Sequence, residues 1–356
     1  MEEKMSKDKY VAYVGTYTHG NSLGIHIYDL DVEKGHMTER AVVPVNNASH
    51  VAKSNNGRYL YSIADEGVEV LEIDETGGLK EINQVNIDGM RGCFLSTDIA
   101  GERLFVAGYH DGKITVVRIH EDGRLGSVMD GIFHKGLGSV AERNFRPHVS
   151  CVMPTPDGKY LCVVDNGIDQ IKLYTVHPET GKLKLYDVIR CKLESAPRWI
   201  RFSRDGCFAY VNCELTNEIL VFRYDGSKKT SLFELIQTVS TVHKNDGNCA
   251  TSGLRISPSG KYLYCSTAGD DSAGVFKIDS ETGKLANLFI LPISGKYPKD
   301  VAVFPDEQTL VVLNHESNDI RFFKIDYEKR IMTQRGKPIK IETPNCILIS
   351  KVGQPD

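Results

Sequence analysis

The sequence predicts an all-β protein, a seven-bladed β-propeller with four antiparallel strands in each blade. The first observation is a repeated phrase, a tight turn followed by a strand of alternating aromatic and aliphatic residues. It begins at residues 56, 157, 205 and 259, with weaker copies at 100 and 306. The second observation is the spacing, because the turn glycine or its equivalent recurs with a period of about 50 residues. A repeat of this length that is built from strands is typical of a propeller.

Each repeat accounts for one blade. In the third repeat we expect strands at residues 148–153, 160–164, 170–176 and 184–189, with a Thr-Gly-Lys-Leu turn before the last strand. The fifth repeat has the same plan, since residues 274–279 and 281–285 match the third strand and the turn after it. Apolar alternation bounded by glycine and aspartate turns indicates half-buried antiparallel strands. Six complete blades therefore run from about residue 49 to about residue 342.

The two ends of the chain supply the seventh blade. Residues 10–43 contain three strand-like segments, at 10–15, 24–29 and 37–43, and residues 344–352 contain a fourth at 345–349. Pairing the two ends in one blade closes the ring and leaves no free sheet edge. We therefore expect residues 1–356 to form a single propeller domain, with residues 1–9 disordered.

Composition and charge argue against several classes of protein. The net charge is −4, so no broad attraction to nucleic acid is expected. The N-terminal residues are polar, unlike a signal peptide, and no apolar run is long enough to span a membrane. Nine scattered cysteines favour reduced thiols and a cytoplasmic location. No zinc or EF-hand spacing is present, so we expect neither a metal nor a cofactor, in a monomer or weak homo-oligomer.

The topology of a propeller indicates where a site should lie. The first strand of each blade is innermost, and the start of that strand lies on the same face of the disc as the end of the second strand. Seven blades therefore bring these positions together at one end of the central channel, here called the mouth. In this sequence the positions hold unlike ionisable residues: His50, His148, Asp165, Arg198, Glu214, Lys299 and His315. Mixed cations, carboxylates and imidazoles favour a polar anionic ligand and acid–base chemistry.

Other interpretations of these residues stay open at this point. Asp165, in Asp165-Asn166-Gly167-Ile168-Asp169, can cap a turn instead of contacting a ligand. Lys299 and His315 can be solvated residues of the rim. Arg201 and Arg255 lie inside apolar strands and can be partners in buried ion pairs, and Trp199 can belong to the core.

Several motifs resemble a known family, the seven-bladed propeller lactonases, which include bacterial 6-phosphogluconolactonases and fungal carboxymuconate cycloisomerases. The resemblance covers residues 10–352 and is carried by the turn phrases and by four motifs: Arg146-Pro147-His148, Asp165-Asn166-Gly167-Ile168-Asp169, Ala196-Pro197-Arg198 and Cys213-Glu214-Leu215. It implies that His148, Arg198 and Glu214 line an active site.

The sequence also departs from the family pattern. Ser150 stands where a second histidine is common, Trp199 replaces the histidine after Pro-Arg, and Pro298-Lys299 replaces a later Pro-Arg. The family's Asn-Arg of blade five is Thr267-Ala268, so an arginine contact is missing, for which Lys299 or Arg255 are the candidate substitutes.

The resemblance and the residues together predict hydrolysis of a small anionic sugar lactone, 6-phospho-D-glucono-1,5-lactone, to 6-phosphogluconate. Glu214 would take a proton from water, and His148 would donate to the oxyanion or to the leaving oxygen. Arg198, with Lys299, would hold the phosphate or stabilise negative charge. The remaining candidates would bind substrate: Lys299, Arg255, His50, Asp165 and His315. Two alternatives remain, namely cycloisomerisation of a muconate-type diacid, which the missing arginine at Ala268 disfavours, and a non-catalytic propeller that binds a metabolite or a protein.

Overall fold

The computed structural model describes residues 8–139, 144–245 and 247–352. The first half of the described chain contains β1 (Tyr10–Thr16), β2 (Gly24–Asp31), β3 (His36–Pro44), β4 (Val51–Lys53), β5 (Tyr59–Ala64), β6 (Gly67–Ile73), β7 (Leu79–Asn86), β8 (Phe94–Thr97), β9 (Arg103–Gly108), β10 (Lys113–Ile119), β11 (Leu125–Phe133), β12 (Val149–Pro154), β13 (Leu161–Asp165), a 3₁₀ turn (Asn166–Ile168) and β14 (Gln170–Val176). The second half contains β15 (Leu183–Arg190), β16 (Pro197–Phe202), β17 (Phe208–Cys213), β18 (Glu218–Tyr224), β19 (Phe233–Ser240), β20 (Ala250–Ile256), β21 (Tyr262–Ala268), β22 (Ser272–Ile278), β23 (Leu285–Pro292), β24 (Pro298–Val303), β25 (Thr309–Asn314), β26 (Asp319–Asp326), β27 (Ile331–Lys340) and β28 (Pro344–Lys351).

These strands form seven four-stranded antiparallel sheets, as the repeat predicts. Blades one to six are β4–β7, β8–β11, β12–β15, β16–β19, β20–β23 and β24–β27, each in chain order. The residues of their second and third strands are mostly buried, because neighbouring blades cover both faces of each sheet. The fourth strands alternate between half-buried and exposed residues because they form the outer edge of the ring.

Blade seven is closed by strands from both chain ends, and this prediction is also confirmed. Strand β28 pairs antiparallel with β1, from Tyr10 opposite Lys351 to Gly15 opposite Cys346. Of the segment expected to be disordered, residues 1–7 lie outside the described residues. The carbonyl oxygen of Lys9 accepts a hydrogen bond from the backbone N–H of Val352 at 2.9 Å. That the chain is a single domain stays a prediction.

The inner strands surround a channel that is blocked partway along. The rings of His50 and Phe94 lie 4.1 Å apart, and Trp199 packs edge-on against them at 6.1 and 5.5 Å. These side chains come from blades one, two and four, and residues of non-neighbouring blades can meet in this way only across the axis. They are called the aromatic plug below. All three are at least nine-tenths buried, so the plug separates the mouth from the opposite end of the channel.

Candidate active site

β-Bulges at the mouth explain which first-strand residues point into the site. The pairing of the first and second strands is interrupted in five blades. In blade five the interruption contains Ser252 and Gly253, and in blades three, four, six and seven it contains a single bulge residue, Ser150, Arg198, Lys299 or Asn345. A bulge inserts one residue with no partner opposite and re-aims its side chain. All four bulge residues line the same cavity.

The cavity at the mouth has a volume of about 360 Å³, the size of a small-molecule site. It is lined by Tyr17, Ser49, Cys93, Tyr109, His110, Ser150, Arg198, Trp199, Glu214, Tyr297, Lys299 and Asn345. Trp199 of the aromatic plug forms part of the wall. The lining therefore combines aromatic faces with two cations and one carboxylate.

Arg198 and Glu214 form the central ion pair of the cavity. The Nη1 atom of Arg198 donates to Oε2 of Glu214 at 2.6 Å, and the Asn166 side chain reaches the same oxygen at 3.4 Å. Only 17% of the Arg198 side chain and 12% of the Glu214 side chain are exposed. Burial opposes the charge on Arg198, but the Glu214 carboxylate outweighs it and raises the arginine pKa. The pair therefore fixes a carboxylate in the cavity wall.

Lys299 is the second cation of the cavity. Burial, and then repulsion from Arg198, lower the pKa of its ammonium group to about 8. Its Nζ atom lies 5.5 Å from the ring centre of Tyr297, and it makes no ion pair with a carboxylate among the described residues. Lys299 is therefore a cation available to an anionic group that enters the cavity.

Three polar atoms of the cavity lining indicate a polar ligand. Ser49 Oγ, Arg198 Nε and Asn345 Oδ1 are buried and have no hydrogen-bond partner among the described residues. A buried polar atom without a partner costs about 1–3 kcal/mol, and five more such atoms lie elsewhere in the described residues, so it is the grouping of three in one cavity that is informative. One donor, one acceptor and one hydroxyl group, which can act as either, match a ligand rich in oxygen atoms.

His148 lies next to the cavity, behind Tyr109. Its ring stacks on the Tyr109 ring at 4.4 Å, and Nδ1 lies 2.7 Å from the Tyr109 carbonyl oxygen. A carbonyl only accepts, so Nδ1 carries the proton and Nε2 is left for other proton transfers. The backbone N–H of His148 donates to Asp165 Oδ1 at 2.8 Å. The histidine is thus held in place from both its ring and its backbone.

Asp165 and His315 contact other parts of the protein rather than the cavity. Asp165 is completely buried; it caps the 3₁₀ turn by accepting from the Gly167 N–H, and it pairs with His134 at 2.6 Å. This placement matches the turn-cap interpretation of the motif. His315 packs edge-on against Tyr17 at 5.7 Å, one side chain behind the cavity wall.

His50 and Arg255 lie deeper in the channel. His50 belongs to the aromatic plug, and burial, then Arg255 and Arg201, hold its pKa well below the usual range. The guanidinium group of Arg255 donates to Asp300 Oδ2 at 2.5 Å and lies 5.3 Å from the Trp199 ring. The structure therefore brings Arg198, Glu214 and Lys299 together in the cavity, sets His148 beside them, and places the other four candidates outside its lining.

The aromatic lining of the cavity is the part that sequence reasoning missed. Tyr17 and Tyr109 stand at the ends of second strands, as the topology requires, but nothing in their types singled them out. Tyr297 had a usable signal, because it precedes Pro298 as Ala196 precedes Pro197. Both residues have a positive φ, 55° and 52°, which is unusual for residues other than glycine.

The fold and the site define a seven-bladed propeller with a small-molecule cavity at the mouth of its channel, lined by ionisable side chains. The chain belongs to the family described as lactonase, 7-bladed beta-propeller, whose sequence model matches residues 11–349. This confirms the family resemblance seen in the motifs.

Individual relatives carry related names. The 6-phosphogluconolactonase of Bacillus subtilis is 33% identical over 346 residues, which cover 95% of this chain and 98% of the relative. A Bacteroides fragilis protein, described as a candidate 6-phosphogluconolactonase, has a crystal structure that superposes with a TM-score of 0.89 at 31% identity, covering 97% of this chain and 99% of that one. The periplasmic gluconolactonase of Pseudomonas aeruginosa superposes with a TM-score of 0.90 at 26% identity, covering 97% and 99% of the two chains. Within the residues that the structure describes, no helix has the length and apolar character needed to cross a membrane.

Proposed function

We propose that the protein hydrolyses a sugar lactone at the mouth cavity, and that the substrate is 6-phospho-D-glucono-1,5-lactone, which is opened to 6-phosphogluconate. The observation that carries the proposal is the Arg198–Glu214 ion pair with Lys299 in one small cavity. Membership of the lactonase family and the names of the Bacillus subtilis and Bacteroides fragilis relatives support the same reaction class.

The charges of the cavity favour a phosphorylated substrate. Two cations face one carboxylate, so the lining carries an excess positive charge while the whole chain has a net charge of −4. Lys299 is the cation without a carboxylate partner in the described structure, so it is assigned to the phosphate group. The rings of Tyr17, Tyr109 and Tyr297 would cover the faces of the sugar ring.

In the proposed reaction, Glu214 takes a proton from water, and the water oxygen forms a bond with the lactone carbonyl carbon. The developing oxyanion is stabilised by Arg198, whose Nε donor has no partner in the described residues. The bond between that carbon and the ring oxygen then breaks, and the leaving alkoxide takes up one proton. The carboxylic acid that forms ionises, so each turnover releases one proton to the solution.

His148 is proposed to supply the proton of the leaving oxygen. Since Nδ1 is held by the Tyr109 carbonyl, proton exchange with the substrate must run through Nε2. This route requires the ring to be an imidazolium when the alkoxide leaves. The proposal therefore divides base and acid between Glu214, which lines the cavity, and His148, which lies behind Tyr109 in the wall.

The proposed location of the protein is the cytoplasm, and its proposed state is a monomer or weak homo-oligomer. All nine cysteines are free, which is consistent with the reducing environment expected of the cytoplasm. We expect cell fractionation to find the protein there, and gel filtration to give the mass of a monomer or weak dimer.

The decisive experiment measures proton release at constant pH with freshly prepared 6-phosphogluconolactone, after subtraction of the spontaneous rate. Wild-type protein should accelerate hydrolysis, and Glu214→Gln should lower kcat about 10²–10⁴-fold. Glu316→Gln is the matched control, because Glu316 is an exposed carboxylate after a second strand and lies outside the cavity lining. Glucono-1,5-lactone without phosphate should show a higher KM.

Unchanged turnover in Glu214→Gln would overturn the assignment of the base. Conversion of a muconate-type diacid without lactone hydrolysis would favour the cycloisomerase alternative. No turnover of any lactone by correctly folded protein would favour a non-catalytic propeller.

A further inference from the structure

The channel beyond the aromatic plug has a chemistry of its own. Strand β16 runs from Arg198 at the mouth through Trp199 of the plug to Arg201. At about 3.3 Å per residue, Arg201 lies roughly 10 Å farther along the strand than Arg198. The backbone of Arg201 therefore lies farther from the mouth than Trp199, and nothing in the proposed lactonase reaction uses this residue.

The strand register shows that Arg201 and Arg255 occupy equivalent places in neighbouring blades. Arg201 is paired with Tyr210 and Arg255 with Tyr264, the same position of the repeated phrase. The corresponding first-strand residues of the other five blades are uncharged: Ala52, Ser96, Met153, Ala302 and Leu348. Charge at this level of the channel is therefore confined to one side, where two guanidinium groups are adjacent.

Both guanidinium groups lie against Trp199 of the plug, but only that of Arg255 has a carboxylate partner among the described residues. Their central carbons lie 5.0 and 5.3 Å from the Trp199 ring. Arg255 is paired with Asp300, whereas Arg201 makes no ion pair with a carboxylate in the described part of the chain. Its hydrogen-bond partners are both uncharged: Nη1 donates to the Ile200 carbonyl oxygen at 3.0 Å, and the side chain also bonds the Cys151 thiol. One positive charge is thus left over beneath the plug.

This excess charge is held where the fold disfavours it. Burial, followed by repulsion from Arg255, lowers the pKa of Arg201 to about 10. The Arg201 side chain is only partly buried, so the donors that bond neither Ile200 nor Cys151 reach space that solvent can enter. A guanidinium group in such a place is stabilised by an anion that accepts two parallel hydrogen bonds.

A second cavity opens at the end of the channel opposite the mouth. Phe202 and Ile256, the residues that follow Arg201 and Arg255, line an open cavity of about 700 Å³ there. Arg204 stands at the same cavity and adds positive charge to its rim, whereas the charge of Lys351 there is paired with Asp8 at 2.9 Å. Neither Arg201 nor Arg255 lines this cavity, so an anion would reach them by passing between the side chains of Phe202 and Ile256.

We propose that the channel contains a second anion site, in which Arg201 and Arg255 bind a small inorganic anion, halide or phosphate, beneath Trp199. The site is separate from the mouth cavity and is entered from the opposite face of the disc. Its occupant neutralises the unpaired cation and so stabilises the inner strands of blades four and five. This role is independent of lactone hydrolysis.

Bromide and inorganic phosphate are suitable probes of the site. In crystals of the wild-type protein soaked in bromide, an anomalous peak should appear between the two guanidinium groups, and it should be absent in Arg201→Met. In solution at constant ionic strength, phosphate at ten times its Kd should raise Tm by about 2 °C in a chain of this length. The rise should saturate, as expected for a specific site.

Three variants separate this site from other cations. Lys299→Met removes an anion-binding group of the mouth and should keep the saturable rise in Tm, whereas Arg201→Met should abolish it. Arg204→Met is the matched control, because Arg204 is exposed and its guanidinium group donates only to the Pro258 carbonyl among described residues. A rise that persists in Arg201→Met, or that disappears in Lys299→Met, would overturn the proposal, as would the lack of a bromide peak at Arg201.

Discussion

Replacing Lys299 with methionine should make the protein more stable while impairing its proposed activity. The ammonium group is half-buried beside Arg198, and these two influences lower its pKa from the usual 10.5 to about 8. The folded state therefore disfavours the charged form that prevails at neutral pH. Methionine has a similar shape and length, keeps contact with the Tyr297 ring, and carries no charge to desolvate.

The size of the effect follows from the pKa. Each unit of difference between the folded and unfolded states corresponds to 1.36 kcal/mol, so Lys299 destabilises the fold by at most about 3 kcal/mol below pH 8. Between pH 8 and pH 10.5 the unfolded state binds more protons than the folded state, so the stability of the wild-type protein rises with pH. The advantage of Lys299→Met should therefore be largest at pH 7 and about 2 kcal/mol smaller at pH 9.5.

Urea unfolding of both proteins at pH 7 and pH 9.5 measures this directly. Lys296→Met is the control, because Lys296 is exposed and pairs with Asp271. This variant should not be more stable than wild type at pH 7. Lys299→Met should also raise the KM for 6-phosphogluconolactone. The reasoning fails if the variant is no more stable than wild type at pH 7, or if its advantage does not change with pH.

Three further changes test other parts of the structure. Deprotonation of Lys299 should weaken anion binding, so the inhibition constant of 6-phosphogluconate should rise as pH increases through about 8 in wild type but not in Lys299→Arg. Asp165→Ala leaves the buried His134 ring and the His148 and Gly167 N–H groups without their acceptor, so urea unfolding should show a loss of about 2–5 kcal/mol. Deleting residues 344–356 removes β28 and exposes the edge of β1, so calorimetry should show a lower Tm and a less cooperative transition, and an unchanged Tm would contradict ring closure by this strand.

The fold could be predicted almost completely from the sequence, because a propeller repeats one local signal many times. In blade three the predicted strands 148–153 and 160–164 lie within a residue of β12 and β13. Blade seven was predictable because β28 and β1 to β3 are the segments left over after six complete blades. Repetition averages out the ambiguity that a single short apolar segment would have.

The site was only partly predictable. Propeller topology places the starts of first strands and the ends of second strands at one end of the channel, but it does not fix the direction of each side chain. This topology places His50 and Lys299 at the same end of the disc, and both are near it. However, Lys299 occupies a bulge and faces the mouth cavity, whereas His50 stands at the regular position that faces the plug. One residue of register decides between a ligand contact and a place in the core.

The bulges nevertheless leave a trace in the sequence. In blades four, six and seven, the bulge residue follows a proline, which cannot donate a ladder hydrogen bond, and the residue before that proline has a positive φ: Ala196 at 52°, Tyr297 at 55° and Thr343 at 42°. Proline thus ends the regular pairing at the point where Arg198, Lys299 and Asn345 turn into the cavity. Because three blades share this local conformation, the backbone positions the polar lining before any ligand arrives, as a preorganised site requires.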